Sequence, residues 1–90
     1  MALFVRILLV TGPPDEVEAA AREHREQVAE LSSRGKLRQA VAFKDGRGFL
    51  ELFEAADLHE AEAIARASPL VEQGLGTWLL QESEAIEFGS

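Results

Sequence analysis

The sequence predicts an α+β fold in which four antiparallel strands form one sheet and two helices share one of its faces. Three observations carry this reading. Two stretches keep the spacing that buries one stripe of a helix, namely Val17, Ala21, His24, Val28 and Leu31, then Leu58, Ala61, Ile64 and Ala65. Four stretches read as strands, at 3–10, 37–43, 49–55 and 77–81. Turn and cap residues fall between these segments and set their order as strand, helix, strand, strand, helix, strand.

Leu3 to Val10 (LFVRILLV) is apolar on both alternating faces, with Arg6 among Phe4, Leu8 and Val10, as expected of a central strand covered on both sides. Thr11-Gly12-Pro13-Pro14 breaks it. Asp15 and Glu18 then have the spacing of a capping box and place carboxylates at the positive end of a helix over Asp15 to Arg34. Gly35 stands where a left-handed C-terminal cap is expected. The second strand, Leu37 to Phe43, sets Leu37, Val41 and Phe43 against Arg38, Ala40 and Ala42, and the 44–48 segment (KDGRG) supplies a hairpin turn. Phe49 to Ala55 returns as the third strand.

Asp57 and Glu60 repeat the capping spacing before the second helix. Ser68-Pro69 then starts a short turn that Gly74 ends, with serine as cap and proline at the first position. Thr77 to Gln81, with Trp78, is the last strand, and the tail from about residue 83 is an edge extension or loose. With right-handed crossovers this order is the ferredoxin-like βαββαβ arrangement, spanning residues 1–90 as a single domain. Strands one and three carry large apolar groups on both faces, so the face away from the helices needs a cover. A second copy packed sheet against sheet supplies it, giving a homodimer or higher homo-oligomer. Arg6 and Glu51 are expected to be neighbours on the Phe-bearing face, which is taken as the dimer side, as a structural pair, with a ligand-binding Arg6 as the alternative.

Composition narrows the function. At 90 residues the chain buries only about 60–65% of its unfolded surface, which makes it a marginal monomer. A net charge of −7 without clustered Lys or Arg opposes phosphate attraction, so nucleic acid is not an expected partner. The longest apolar run, Ile7 to Val10, is far short of a membrane span, and no targeting segment is read, so a cytoplasmic protein is expected. Cysteine is absent, which removes thiolate chemistry and thiolate metal sites. The glycines at 46, 48, 74 and 76 form no phosphate-binding fingerprint.

His24 is the candidate reactive group, because it lies on the buried stripe of the first helix. A bare polar ring in hydrocarbon costs roughly 1–3 kcal/mol, so it either finds a partner or lines a cavity. An imidazole with a reference pKa near 6.5 exchanges a proton at neutral pH, which suits a general acid or base. Ser68 is a natural N-cap that could also bond His24, but it brings no negative charge to stabilise an imidazolium. His59, beside Glu60 and Glu62 at the start of the second helix, lacks converging ligands, and no metal or cofactor is expected. Trp78 reads as a core or interface anchor.

At His24, Gly35-Lys36-Leu37, Gly48 and the Ser68 to Leu75 turn, the chain resembles the YCII-related family, a branch of the dimeric α+β barrel proteins. The resemblance runs from Leu3 to about Glu82 and follows the spacing of the elements. It implies a small cytoplasmic dimer with a small-molecule pocket between the first helix and the sheet, and for a few relatives a cofactor-independent lyase or isomerase acting on ring-derived acids. It carries the family's histidine onto His24 and its Asp-Pro onto Ser68-Pro69, making His24 and Ser68 the expected catalytic positions. The chain departs from the family at that serine and at Ala21, where an arginine is often found. The alternative is a non-catalytic dimer that binds a small ligand or serves assembly.

Overall fold

The computed structural model describes residues 1–89. In chain order the elements are β1 (Ala2–Val10), α1 (Pro14–Ser33), β2 (Leu37–Ala42), β3 (Gly48–Ala55), α2 (Leu58–Arg66), the single turn α3 (Pro69–Glu72) and β4 (Gly76–Ser83). The strands form one sheet in the order β2-β3-β1-β4, with every neighbouring pair antiparallel. This is the ferredoxin-like fold that the sequence predicts.

The connections follow from local chemistry. α1 begins one residue earlier than expected, with Pro14 at its first position and no side-chain cap, while Asp15 and Glu16 sit in the positive first turn. It ends in a Schellman motif: Lys36 N–H donates to Leu31 O at 3.0 Å and Gly35 N–H to Ser32 O at 3.0 Å, with Gly35 at φ 72°. At the start of α2 the Asp57 carboxylate accepts from Glu60 N–H at 2.9 Å. Ser68 caps α3 by accepting from Leu70 N–H at 3.3 Å.

Register arranges the helix-covered face of the sheet in rows. Phe4 lies opposite Phe53, Arg6 opposite Glu51, and Leu8 opposite Phe49. The outer rows seed two apolar clusters, one of Leu8, Ala20, Phe49, Leu70 and Leu75, the other of Phe4, Phe53, Ala55 and Ala61. The middle row is the charged pair, fully buried. This corrects the expected dimer side: the Phe-bearing face lies under the helices, and the opposite face is the one they leave uncovered. Leu9, Val41 and Leu79 on that face are 48%, 43% and 56% exposed, with Leu3, Val5, Ile7, Leu50 and Leu52 half-buried among them. Both faces of β1 and β3 are apolar, so alternation alone could not choose between them.

A second correction concerns β2. The register slips between Leu37 and Gln39, pairing Leu37 with Phe53 and Gln39 with Leu52. One extra residue in a strand sends everything beyond it to the other face. Leu37 therefore shares the helix side with Ala40 and Ala42, and Val41 turns to the open side.

Candidate functional site

The site grows from the middle row of the sheet. β1 places Arg6 and β3 places Glu51 at paired positions, and the Arg6 Nε–H donates to Glu51 Oε1 at 2.6 Å. The remaining guanidinium hydrogens reach into the helical layer. Nη1 donates to the carbonyls of Ala65 and Ile64 at 3.1 and 3.4 Å, and Nη2 to Gln27 Oε1 at 3.4 Å. Ile64 and Ala65 lie in the last turn of α2, where carbonyls lack partners within the helix, so Arg6 caps α2 from the sheet. Gln27, from α1, donates to the Ile64 carbonyl at 2.9 Å and ties the helices together at that point.

His24 completes the chain. The buried stripe of α1 holds its ring over the sheet, against Phe49 at 4.4 Å between centroids. Its Nε2 lies 3.0 Å from Glu51 Oε2 and its Nδ1 2.8 Å from Ser68 Oγ. Arg6, His24, Glu51 and Ser68 are all fully buried, and no buried side-chain nitrogen or oxygen among the described residues lacks a partner. Burial pushes the Glu51 carboxyl up. The hydrogen bond from His24 and the charges of Arg6 and the imidazole outweigh that push and hold it below its ordinary value of 4.5. Glu51 is therefore a carboxylate, and Nε2 carries the hydrogen donated to it.

Ser68 holds the other nitrogen. Its hydroxyl donates to Nδ1 of a neutral imidazole and, turned about its C–O bond, accepts from Nδ1–H of an imidazolium. Both protonation states of His24 thus keep both partners in place. The same oxygen caps α3, so the two roles considered for Ser68 coincide in one atom.

A groove of about 240 Å³ runs between α1 and β2, and His24 and Glu51 form part of its floor. Phe49, Val28 and Leu37 give it apolar walls and Arg25 stands at its mouth. Ser68 does not line it. A second cleft of about 370 Å³ lies between the helices beyond Gln27, where Lys36 pairs with Glu60.

The structure thus brings together His24 and Ser68, the two residues singled out in the sequence, and adds Glu51, Arg6 and Gln27. The signal for the first two of these was present: Arg6 and Glu51 are the charges that interrupt two otherwise apolar strand cores. His59 lies exposed in the first turn of α2. Trp78 packs half-buried against the Leu8 cluster, with the Arg66 guanidinium 5.4 Å from its ring centre. No helix of the described residues is long and apolar enough to cross a membrane.

No protein-family model and no curated protein matches the chain. Among solved structures it is similar to 5-chloro-2-hydroxyhydroquinone dehydrochlorinase from Burkholderia phenoliruptrix AC1100, in complex with 2,5-dihydroxybenzoquinone. The TM-score is 0.67 over 89% of this chain and 93% of that one, at 14% identity. At that identity the likeness is one of fold alone.

Proposed function

We propose that this protein is a YCII-like, cofactor-independent lyase or isomerase acting on a small organic acid, with His24 as the proton carrier. The observation that carries the reading is the Ser68–His24–Glu51 chain, with its His24–Glu51 end forming the floor of a groove. In the step envisaged, a substrate C–H bond next to a carbonyl or carboxylate breaks and its electron pair moves into conjugation. The proton passes to Nε2 of the ring tautomer that carries its hydrogen on Nδ1, where Ser68 Oγ accepts it, and Glu51 stabilises the cation formed, the charge that Ser68 cannot supply. In an isomerisation the proton returns to another carbon; in an elimination the electron pair expels an anionic leaving group. Ser68 orients the ring and is not a nucleophile, because its oxygen is buried outside the groove. The similar structure's printed activity, a dehydrochlorination, is an elimination of this kind.

The same reading includes a single domain, a cytoplasmic setting and a homodimer formed through the open face of Leu3, Val5, Ile7, Leu9, Leu50, Leu52 and Leu79. Burial of the same apolar patch on two copies covers both at once. A second reading, a dimer that binds a small ligand without converting it, is favoured by one observation: both nitrogens of His24 already have partners.

Deuterium wash-in separates the two. Small unsaturated acids and lactones are incubated with the protein in heavy water and carbon-bound deuterium is followed by NMR. The wild type is expected to exchange at least one substrate, and His24→Gln to lose about 100-fold or more. Exchange that His24→Gln leaves unchanged refutes the catalytic role, and saturable binding without exchange supports the second reading.

A further inference from the structure

The groove has a charge at its mouth that the proton chain does not use. Arg25 follows His24 on α1 and lines the same groove, with its guanidinium carbon 5.4 Å from the centre of the Phe49 ring. Among the described residues it makes no ion pair. Arg22 pairs with Glu18, Arg38 with Glu54, Lys36 with Glu60 and Arg6 with Glu51, while Arg34, Lys44, Arg47 and Arg66 are likewise without an ion pair but lie outside this groove. The sequence explains the difference: Arg25 has Ala21 and Ala29 four residues away on either side and Arg22 and Val28 three away, so no carboxylate stands at helical spacing. Glu51, the acid in the groove lining, is already neutralised by Arg6. Arg25 thus adds to the lining a positive charge that no carboxylate pairs, in a chain whose net charge is −7.

Size and shape narrow the occupant. An apolar cavity of about 150 Å³ holds a benzene molecule, so the groove of about 240 Å³ takes one substituted ring or a chain of similar volume. Phe49 presents its ring to the groove and to Arg25, and the guanidinium plane suits a carboxylate through two parallel hydrogen bonds.

We propose that Arg25 is a specificity-determining residue that selects small, planar, singly charged organic anions, seating the charged group at the groove mouth and the apolar body against Phe49. This rests on the groove being the substrate site and adds what reads the substrate's charge. The geometry assigns the anion to the Arg25 end, so that the carbon chain beyond it extends toward the His24–Glu51 floor.

The test uses two probes of nearly equal shape, benzoate and neutral benzamide, titrated into the full chain with binding followed by NMR shifts of Phe49, Val28 and Leu37. Benzoate is expected to shift these resonances and to bind more tightly than benzamide. Arg25→Gln should weaken benzoate roughly three- to tenfold, the range for a charge-assisted contact at a solvated lip, and leave benzamide unchanged. Arg25→Lys should retain part of the preference, and Arg22→Gln, on the exposed side of the same helix, all of it. Equal binding of both probes in the groove, or a benzoate affinity indifferent to Arg25→Gln, overturns the role of Arg25 and leaves the groove assignment standing. Binding of neither probe in the groove overturns both.

Discussion

Glu51→Gln isolates the cost of the buried charge from the cost of losing hydrogen bonds. The substitution keeps side-chain volume, so it opens no cavity. The new amide oxygen can still accept from Arg6 Nε, while its NH₂ group faces His24 Nε2. The imidazole accommodates this by moving its hydrogen to Nδ1 and donating it to Ser68 Oγ, an oxygen that can accept. What remains unbalanced is the guanidinium of Arg6, fully buried and left without a counter-charge. Breaking one side of a buried ion pair costs about 3–5 kcal/mol, against a total stability of about 5–15 kcal/mol for a domain of this kind. Urea unfolding followed by Trp78 fluorescence at fixed protein concentration should therefore show the variant losing about a fifth of its stability or more. Arg6→Met with Glu51→Gln should cost at least about 2 kcal/mol less than the two single changes added together, since the double variant has no charge left to strand. A loss below about 1 kcal/mol for Glu51→Gln, or strict additivity, would refute the claim that these charges depend on one another.

Four further outcomes follow from the same geometry. Because Glu51 titrates below 4.5 in the folded chain, its contribution is fully present above that pH and is lost as pH falls through the depressed folded value; acid unfolding of Glu51→Gln should show a shallower limb than that of the wild type. Ser68→Ala removes both the cap on Leu70 N–H and the partner of Nδ1 and should cost about 1–3 kcal/mol in urea unfolding. Ser68→Asp keeps the cap and adds a second carboxylate, so nitrogen NMR of the His24 ring at pH 7 should show both nitrogens protonated; a neutral ring would count against the bond. Leu79→Arg, at an exposed position on the open sheet face, should convert a dimer to a monomer by light scattering, and an unchanged mass would remove that face as the interface.

Much of this architecture was legible because each element is marked twice, by periodicity and by a terminator. The stripe of α1, the Gly35 and Gly74 stops, the Asp57 and Ser68 caps and the order of the strands all stand as read. Two features were not legible, the face of the sheet and the parity of β2. Where apolar residues occupy both parities of a strand, alternation carries no information about which face meets the helices, so it cannot turn Phe4-Arg6-Leu8 inward. The histidine contained the missing constraint: a buried ring on α1 needs a polar partner from the layer beneath, and in β1 and β3 that means the face bearing Arg6 and Glu51. In β2 the extra residue near Arg38 inverts the parity of Val41, and the polar pair Arg38-Gln39 is its faint trace in the sequence. Glu51 is not legible as a site residue while alternation leaves its side of the sheet open.

The placement of the charges also bears on why the site exists. A row of hydrocarbon at positions 6 and 51 would continue the Phe4/Phe53 and Leu8/Phe49 rows, and exchanging a buried ion pair for well-packed apolar groups often gains about 1–4 kcal/mol. This chain instead keeps four polar side chains at the centre of a small core, where each orients the next: α2's carbonyls hold Arg6, Arg6 holds Glu51, Glu51 holds His24, and Ser68 closes the end. A structural requirement alone is met by fewer groups, since capping α2 needs neither an imidazole nor a hydroxyl on its far side. The step from Glu51 to His24 brings that pair to the groove floor, while Ser68 lies outside the groove and caps α3, so stabilising the end of α2 does not account for His24. A repacked variant with apolar residues at 6, 24 and 51 should therefore be at least as stable as the wild type and, under the proposed function, should lose the deuterium exchange.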